Sequence, residues 1–338
     1  MNDSAPTPYF LTQYQNRLES YDQSADFLHP ADAAKVDHYA ATETQYLGFS
    51  IPEENIHAVN YLWHHPKMNT VMGGTVVFQG YKPVHLAAEL IDMRNYMSDS
   101  VLKNDLHDVQ LDNSYRSRVI EPLKKFHVSY NDPLRQNSFD VTLEAVMPLA
   151  MWPTGRHFEQ ICKTSGELVL RGKKFKVDGF TVRDRSWGEA RKEETMPIPC
   201  TTWMVGTFNK DFGFNCNSLD HPDLNPLWKD SFDIKPEQVL LGGWFWIDGK
   251  VVPIVETRKL THYDRKTLFP TKIELTMKIA DGRTFEMLGT VTAACPFNPW
   301  INVYTPICLT RWECKGQVGY DEAQDVQWND FAARYAQV

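Results

Sequence analysis

The stretch TKIELTMKI, residues 271–279, sets Ile273, Leu275, Met277 and Ile279 against Lys272, Glu274, Thr276 and Lys278. A period of two places alternate side chains on opposite faces, which suits a strand with one dry and one wet face and does not suit a helix. FDVTLEAVM repeats the pattern, with Phe139, Val141, Leu143 and Ala145 opposed to Asp140, Thr142 and Glu144. Asp281-Gly282 and Asp248-Gly249 follow such runs and suit the left-handed angles of tight hairpin turns. There is no P-loop, no GxGxxG and no regular alternation of strand and helix patterns. The expectation is an all-β, antiparallel sandwich or barrel. One helix is expected in HPADAAKVDHYAATETQY, where Asp32 stands near the start and alanines follow.

A chain of 338 residues has room for about two domains. AVNYLWHHPKMNTVMGGTVVF and CTTWMVGTFNKDFGFNCNSL share a layout of aromatic-bearing strand, polar turn and second strand. This faint duplication divides the chain into 1–192, including a peripheral segment 1–45, and 193–338. No apolar run reaches the roughly 18 residues of a membrane span. MNDSAPTPYFLTQYQ lacks the basic and apolar regions of a secretory signal, so the cytoplasm is the expected location. A net charge of −8 argues against a nucleic-acid binder. The six cysteines form no CxxC pair and no zinc-ligand grouping, and the histidines lack ligand spacing, so neither metal nor cofactor is expected. A homo-oligomer is left open.

Against these plain strands, KVDGFTVRDRSWGEARK gathers Arg183, Asp184, Arg185, Glu189 and Arg191 around Trp187. Upstream lies RHFEQ. On a strand His157 and Glu159 share a face, and two turns in the intervening residues can bring Asp184 beside them.

HFEQ followed by VDGFTVRDRSWGEAR resembles the signature of the tandem-lipocalin superfamily, which includes carotenoid 1,2-hydratases, kievitone hydratase-like proteins and lipocalin-like Diels–Alderases. The pattern is close to G-x-x-x-D-H-x-W-G-x-R: Asp184, Trp187 and Gly188 match it, Gly179 and Arg191 each stand one residue further out, and His157 matches an upstream histidine. Arg185 departs from the pattern's histidine, and Glu159 stands where carotenoid hydratases have an aromatic residue. The resemblance implies two lipocalin-like barrels in tandem, and hydration, dehydration, isomerisation or cyclisation of a terpenoid-like or polyketide-like molecule.

The residues themselves allow two accounts. In one, Asp184 is a general acid in an apolar barrel mouth, His157 relays the proton or activates water, and Glu159 orients the histidine. Trp187, Trp203, Tyr61 and Arg183 then line the site of a cofactor-independent enzyme acting on a hydrophobic, unsaturated small molecule. In the other, the Asp–Arg cluster is an ion-pair staple joining two barrels, His157–Glu159 is a satisfied pair, and Trp187 is a packing wedge. The protein would then be a carrier of a lipid, steroid or terpenoid. No GxSxG elbow supports a serine hydrolase. The direction in which Asp184 points decides between the two accounts.

Overall fold

The alternation resolves into two antiparallel β structures that follow one another along the chain. The computed structural model describes residues 22–191, 198–225, 232–298 and 302–335. First comes a 12-stranded sheet. Its main path runs Leu90–Ser98, Thr70–Gln79, Ile56–His65, Ala41–Tyr46 and Lys173–Ala190. It continues through His157–Leu170, Asn137–Ala145, Lys125–Asp132, Arg116–Glu121 and Asp108–Gln110. A closed barrel follows, its strands neighbouring one another in sequence order from Thr201–Asn209 to Gln317–Trp328.

The first sheet curls on itself. Asn113 donates its side-chain amide to the carbonyls of Gly73 (3.1 Å) and Asp92 (2.6 Å), and the Tyr130 hydroxyl donates to Asp92 Oδ2 (2.9 Å). These bonds tie late strands to early ones around a core that holds Phe49, Phe126, Phe139, Val141 and Leu143. Ile273, Leu275, Met277 and Ile279 enter the interior of the closed barrel with Phe214, Phe245 and Trp312. Both interiors are therefore filled by side chains. The six cysteines are buried and free.

The turn chemistry follows the sequence. Asp248 (φ 54°) and Gly249 (φ 68°) join Leu240–Ile247 to Lys250–Tyr263 as a two-residue left-handed turn. The two stretches with a shared layout are both hairpins. No helix among the described residues is long and apolar enough to cross a membrane.

Three expectations change. The helix is confined to Pro30–Lys35, and the ATETQY that follows is a strand with every residue buried. That strand is not peripheral: it lies between Ile56–His65 and Lys173–Ala190. Its polar residues are buried against side chains rather than water, Gln45 with Ser117 (3.1 Å) and Thr44 with Ser186 (2.8 Å), so its two faces do not differ in polarity. Finally, His157–Leu170 and Lys173–Ala190 form a single long hairpin whose only turn is Arg171-Gly172, with φ of 49° and 81°.

Candidate active site at the seam of the two barrels

Strand alternation gives Lys173–Ala190 two faces. Arg183, Arg185 and Trp187 point into the first sheet. Arg183 binds Asp26 (2.7 Å) and Gln160 (2.7 Å), and its guanidinium lies over Phe126 (3.9 Å). Arg185 reaches the carbonyls of Ala25 (3.1 Å) and Thr44 (3.2 Å) and the carboxylate of Glu43 (3.4 Å). Trp187 stacks on His29 with ring centroids 3.9 Å apart. Together these side chains hold the segment around residues 25–29 in place.

Asp184 and Ser186 point the other way, toward the second barrel. Cross-strand pairing there produces a row of four: Tyr61 opposite Tyr46, Tyr46 opposite Asp184, and Asp184 opposite Glu159. The next row on the same face runs Trp63, Thr44, Ser186, His157. Directly opposed residues on one face are in contact range, so the floor of the seam is built from these eight side chains.

Glu159 is fully buried and surrounded by donors. Trp152 Nε1 donates to both its oxygens (3.0 and 2.8 Å), Trp244 Nε1 to Oε2 (3.1 Å), and Trp203 Nε1 approaches Oε1 (3.5 Å). His157 Nε2 lies 2.9 Å from Oε1. A carboxylate accepts only, which suits four convergent N–H groups. Two of the indoles belong to the second barrel. A Cβ on Gly242 would lie 2.6 Å from the Trp152 ring, so glycine there lets Trp152 pack against the barrel.

Asp184 is held differently. Its Oδ1 is buried and has no hydrogen-bond partner. Burial pushes the carboxyl up to about 6; His157 and Arg191 oppose the rise, while Glu159 and Glu322 add to it. For His157, burial works against the charged form, but the charge and hydrogen bond of Glu159, with Asp184 behind them, outweigh it and raise the imidazole above its ordinary value. The His157 side chain remains 19% exposed, so it connects the buried Glu159 carboxyl to solvent.

Beside this row lies a cavity of about 100 Å³, walled by Tyr46, Tyr61, Trp63 and Arg191 from the first sheet and by Phe297, Thr305, Ile307 and Gln324 from the second barrel. Glu322 crosses the seam to accept from the Tyr46 hydroxyl and to contact His57 Nε2, and it also accepts from the Gln324 amide. Burial, then the charge of Glu322, hold the Tyr46 phenol well above its ordinary value, so it stays a donor. Arg191 donates to Ser186 Oγ (2.8 Å) and lies over Trp63 (5.7 Å).

The structure thus brings Asp184, His157, Glu159, Trp203 and Tyr61 to one place. It does not bring Arg183 or Trp187 there, because odd-numbered residues of that strand face the first sheet; the lining role expected of them is corrected to one of internal packing. Sequence reasoning did not reach Tyr46, His57, Trp63, Trp152, Trp244, Glu322 and Gln324. Trp152 alone carried a local signal, standing seven residues before Glu159.

The family model described as "Domain of unknown function (DUF7064)" matches residues 22–331. The chain belongs to this family. None of the curated proteins matches it. Among solved structures, kievitone hydratase from Nectria haematococca is similar at a TM-score of 0.53 and 12% identity, over 94% of this chain and 96% of that one. CghA is similar at 0.49 and 11%, over 86% and 89%. At this identity the first likeness speaks for the fold alone.

Proposed function

We propose that this member of the family is a cofactor-independent acid–base enzyme whose site lies at the seam and whose substrate is a hydrophobic, unsaturated small molecule. One observation carries the reading: a partly buried aspartate, Asp184, whose Oδ1 is buried without a partner and whose affinity for protons is raised to about 6, lies in the same row as two cavity-lining tyrosines. An acid poised in that range can protonate an alkene carbon or the oxygen of an allylic alcohol. His157, fixed by Glu159 and reaching solvent, restores the proton. The π-faces of Tyr46, Tyr61 and Trp63 stabilise positive charge developing on carbon. Hydration, dehydration, isomerisation and cyclisation all begin with this step. A protein of the same fold is named a hydratase, which agrees with this group of reactions.

A carrier of the lipocalin kind would need an empty barrel, and both interiors here are packed with side chains. The seam cavity, at about 100 Å³, is below the roughly 300 Å³ of a typical ligand pocket, so it suits the reacting end of a substrate rather than the whole of it. The test compares wild type with Asp184→Asn on terpenoid alcohols and polyenes. Turnover lost with the thermal midpoint kept supports the enzyme. Equal turnover by both proteins removes Asp184 from the chemistry.

A further inference from the structure

The second-barrel wall of the cavity has polar groups that the acid–base reading leaves unused. Thr305 is 3% exposed, and its Oγ1 is buried with no hydrogen-bond partner. Gln324 lies on the neighbouring strand, directly opposite Ile307, two residues along from Thr305 on the same face. Both line the cavity. The Tyr46 phenol keeps its proton and donates it to Glu322, so Glu322 is an acceptor there. Gln324 donates its Nε2 to the other oxygen, Glu322 Oε1, which leaves its carbonyl oxygen for a donor from elsewhere. A buried threonine hydroxyl left unpaired is costly unless an occupant of the cavity supplies the partner.

We propose that Thr305 and Gln324 form a hydroxyl-binding subsite, on the second-barrel wall of the cavity, that recognises an alcohol O–H on a small, unsaturated group. Thr305 Oγ1 and the Gln324 carbonyl oxygen meet the substrate oxygen and its proton, while Tyr61 and Phe297 hold the carbon skeleton. This rests on the acid–base reading for the use to which the hydroxyl is put, but not for its binding: the oxygen bound here would be the one released or added at the carbon that Asp184 serves. The cavity, at about 100 Å³, is smaller than the roughly 150 Å³ of an engineered apolar cavity that takes up benzene, so it admits the hydroxyl-bearing end of such a group while the rest extends toward its opening.

The experiment is a ligand-detected NMR titration with 3-methylbut-2-en-1-ol and with its methyl ether, which keeps the skeleton and the oxygen but has no proton to donate. Wild type is expected to bind the alcohol about tenfold more tightly than the ether. Thr305→Val removes only a hydroxyl without a partner in the fold, so the thermal midpoint is expected to hold or rise, while alcohol and ether, which both carry the oxygen it donates to, each bind about threefold or more weakly. Gln324→Leu is expected to lower the preference, with a lower midpoint because Glu322 loses a donor. Wild type binding both ligands equally, or binding neither, overturns the subsite and leaves the cavity to water. A Thr305→Val protein that binds the alcohol as tightly as wild type, or a folded Gln324→Leu protein that keeps the wild-type preference, also overturns it. Because binding is read without turnover, an inactive wild type or an active Asp184→Asn defeats the acid–base reading and leaves this result standing.

Discussion

The two faces of the strand Lys173–Ala190 carry the same kinds of residue and use them in opposite ways. On the inner face the charges are matched: Arg183 and Arg185 are each 1% exposed and meet Asp26, Gln160, Glu43 and backbone carbonyls. On the seam face Asp184 lies opposite another carboxyl, Glu159, and one of its oxygens has no partner. Matched buried charges fix a shape, whereas an unmatched one stores a protonation state that can change during a reaction. The cluster in RDRSWG is thus an ion-pair staple on one side and a candidate acid on the other. The staple anchors the early segment of the same sheet, not the second barrel.

The largest effect that can test this contrast is on stability. Arg183→Leu leaves Asp26 buried and unpaired, and is expected to cost about 3–5 kcal/mol in urea unfolding. Adding Asp26→Leu should recover much of that loss; a double variant as unstable as the single one would show that the pair is not the staple. On the seam face, Asp184→Asn should lower turnover about 10²–10⁴-fold while leaving the midpoint unchanged or higher.

Next is the effect of pH. Asp184 takes up its proton more readily in the folded chain, at about 6, than at the ordinary value of 3.8. Its contribution to stability is therefore fully present below about 3.8 and is lost as pH rises through about 6, a decline on the order of 1–3 kcal/mol. Comparing urea unfolding at pH 4 and pH 7 should show that decline in wild type and its absence in Asp184→Asn. Turnover that needs the acid form should fall over the same range. The smallest effect separates two tryptophans. Trp152→Phe removes an N–H from Glu159 and is expected to cost about 1–2 kcal/mol with a severalfold loss of turnover. Trp187→Phe alters the stack on His29 and the packing on Phe158 and removes a hydrogen bond to Asp32, all away from the seam, and should leave turnover unchanged in the folded protein.

The legible parts of the site are those that a single hairpin determines. His157, Glu159 and Asp184 share a face because the period is two and one turn returns the chain in register. The same parity already separates Asp184 from Arg183 and Trp187, so their placement was readable from the spacing once the stretch was taken as a strand. Trp244 and Glu322 reach the site from the other barrel, across separations that no local pattern encodes. Tyr46 was hidden by the polar side chains of ATETQY, which are buried on both faces and remove the contrast that marks a strand. The core was plainer: TKIELTMKI and FDVTLEAVM pack as their alternation requires.

The indoles around Glu159 have a consequence for unfolding. The carboxylate belongs to the first sheet, but Trp244 and Trp203 belong to the second barrel, so neither half can shield it alone. Undocking one half would leave a charge in a partly apolar hollow, an intermediate that is costly to populate. Two topologically separate barrels should therefore melt as one calorimetric unit, with a van't Hoff enthalpy matching that of the whole chain rather than half of it.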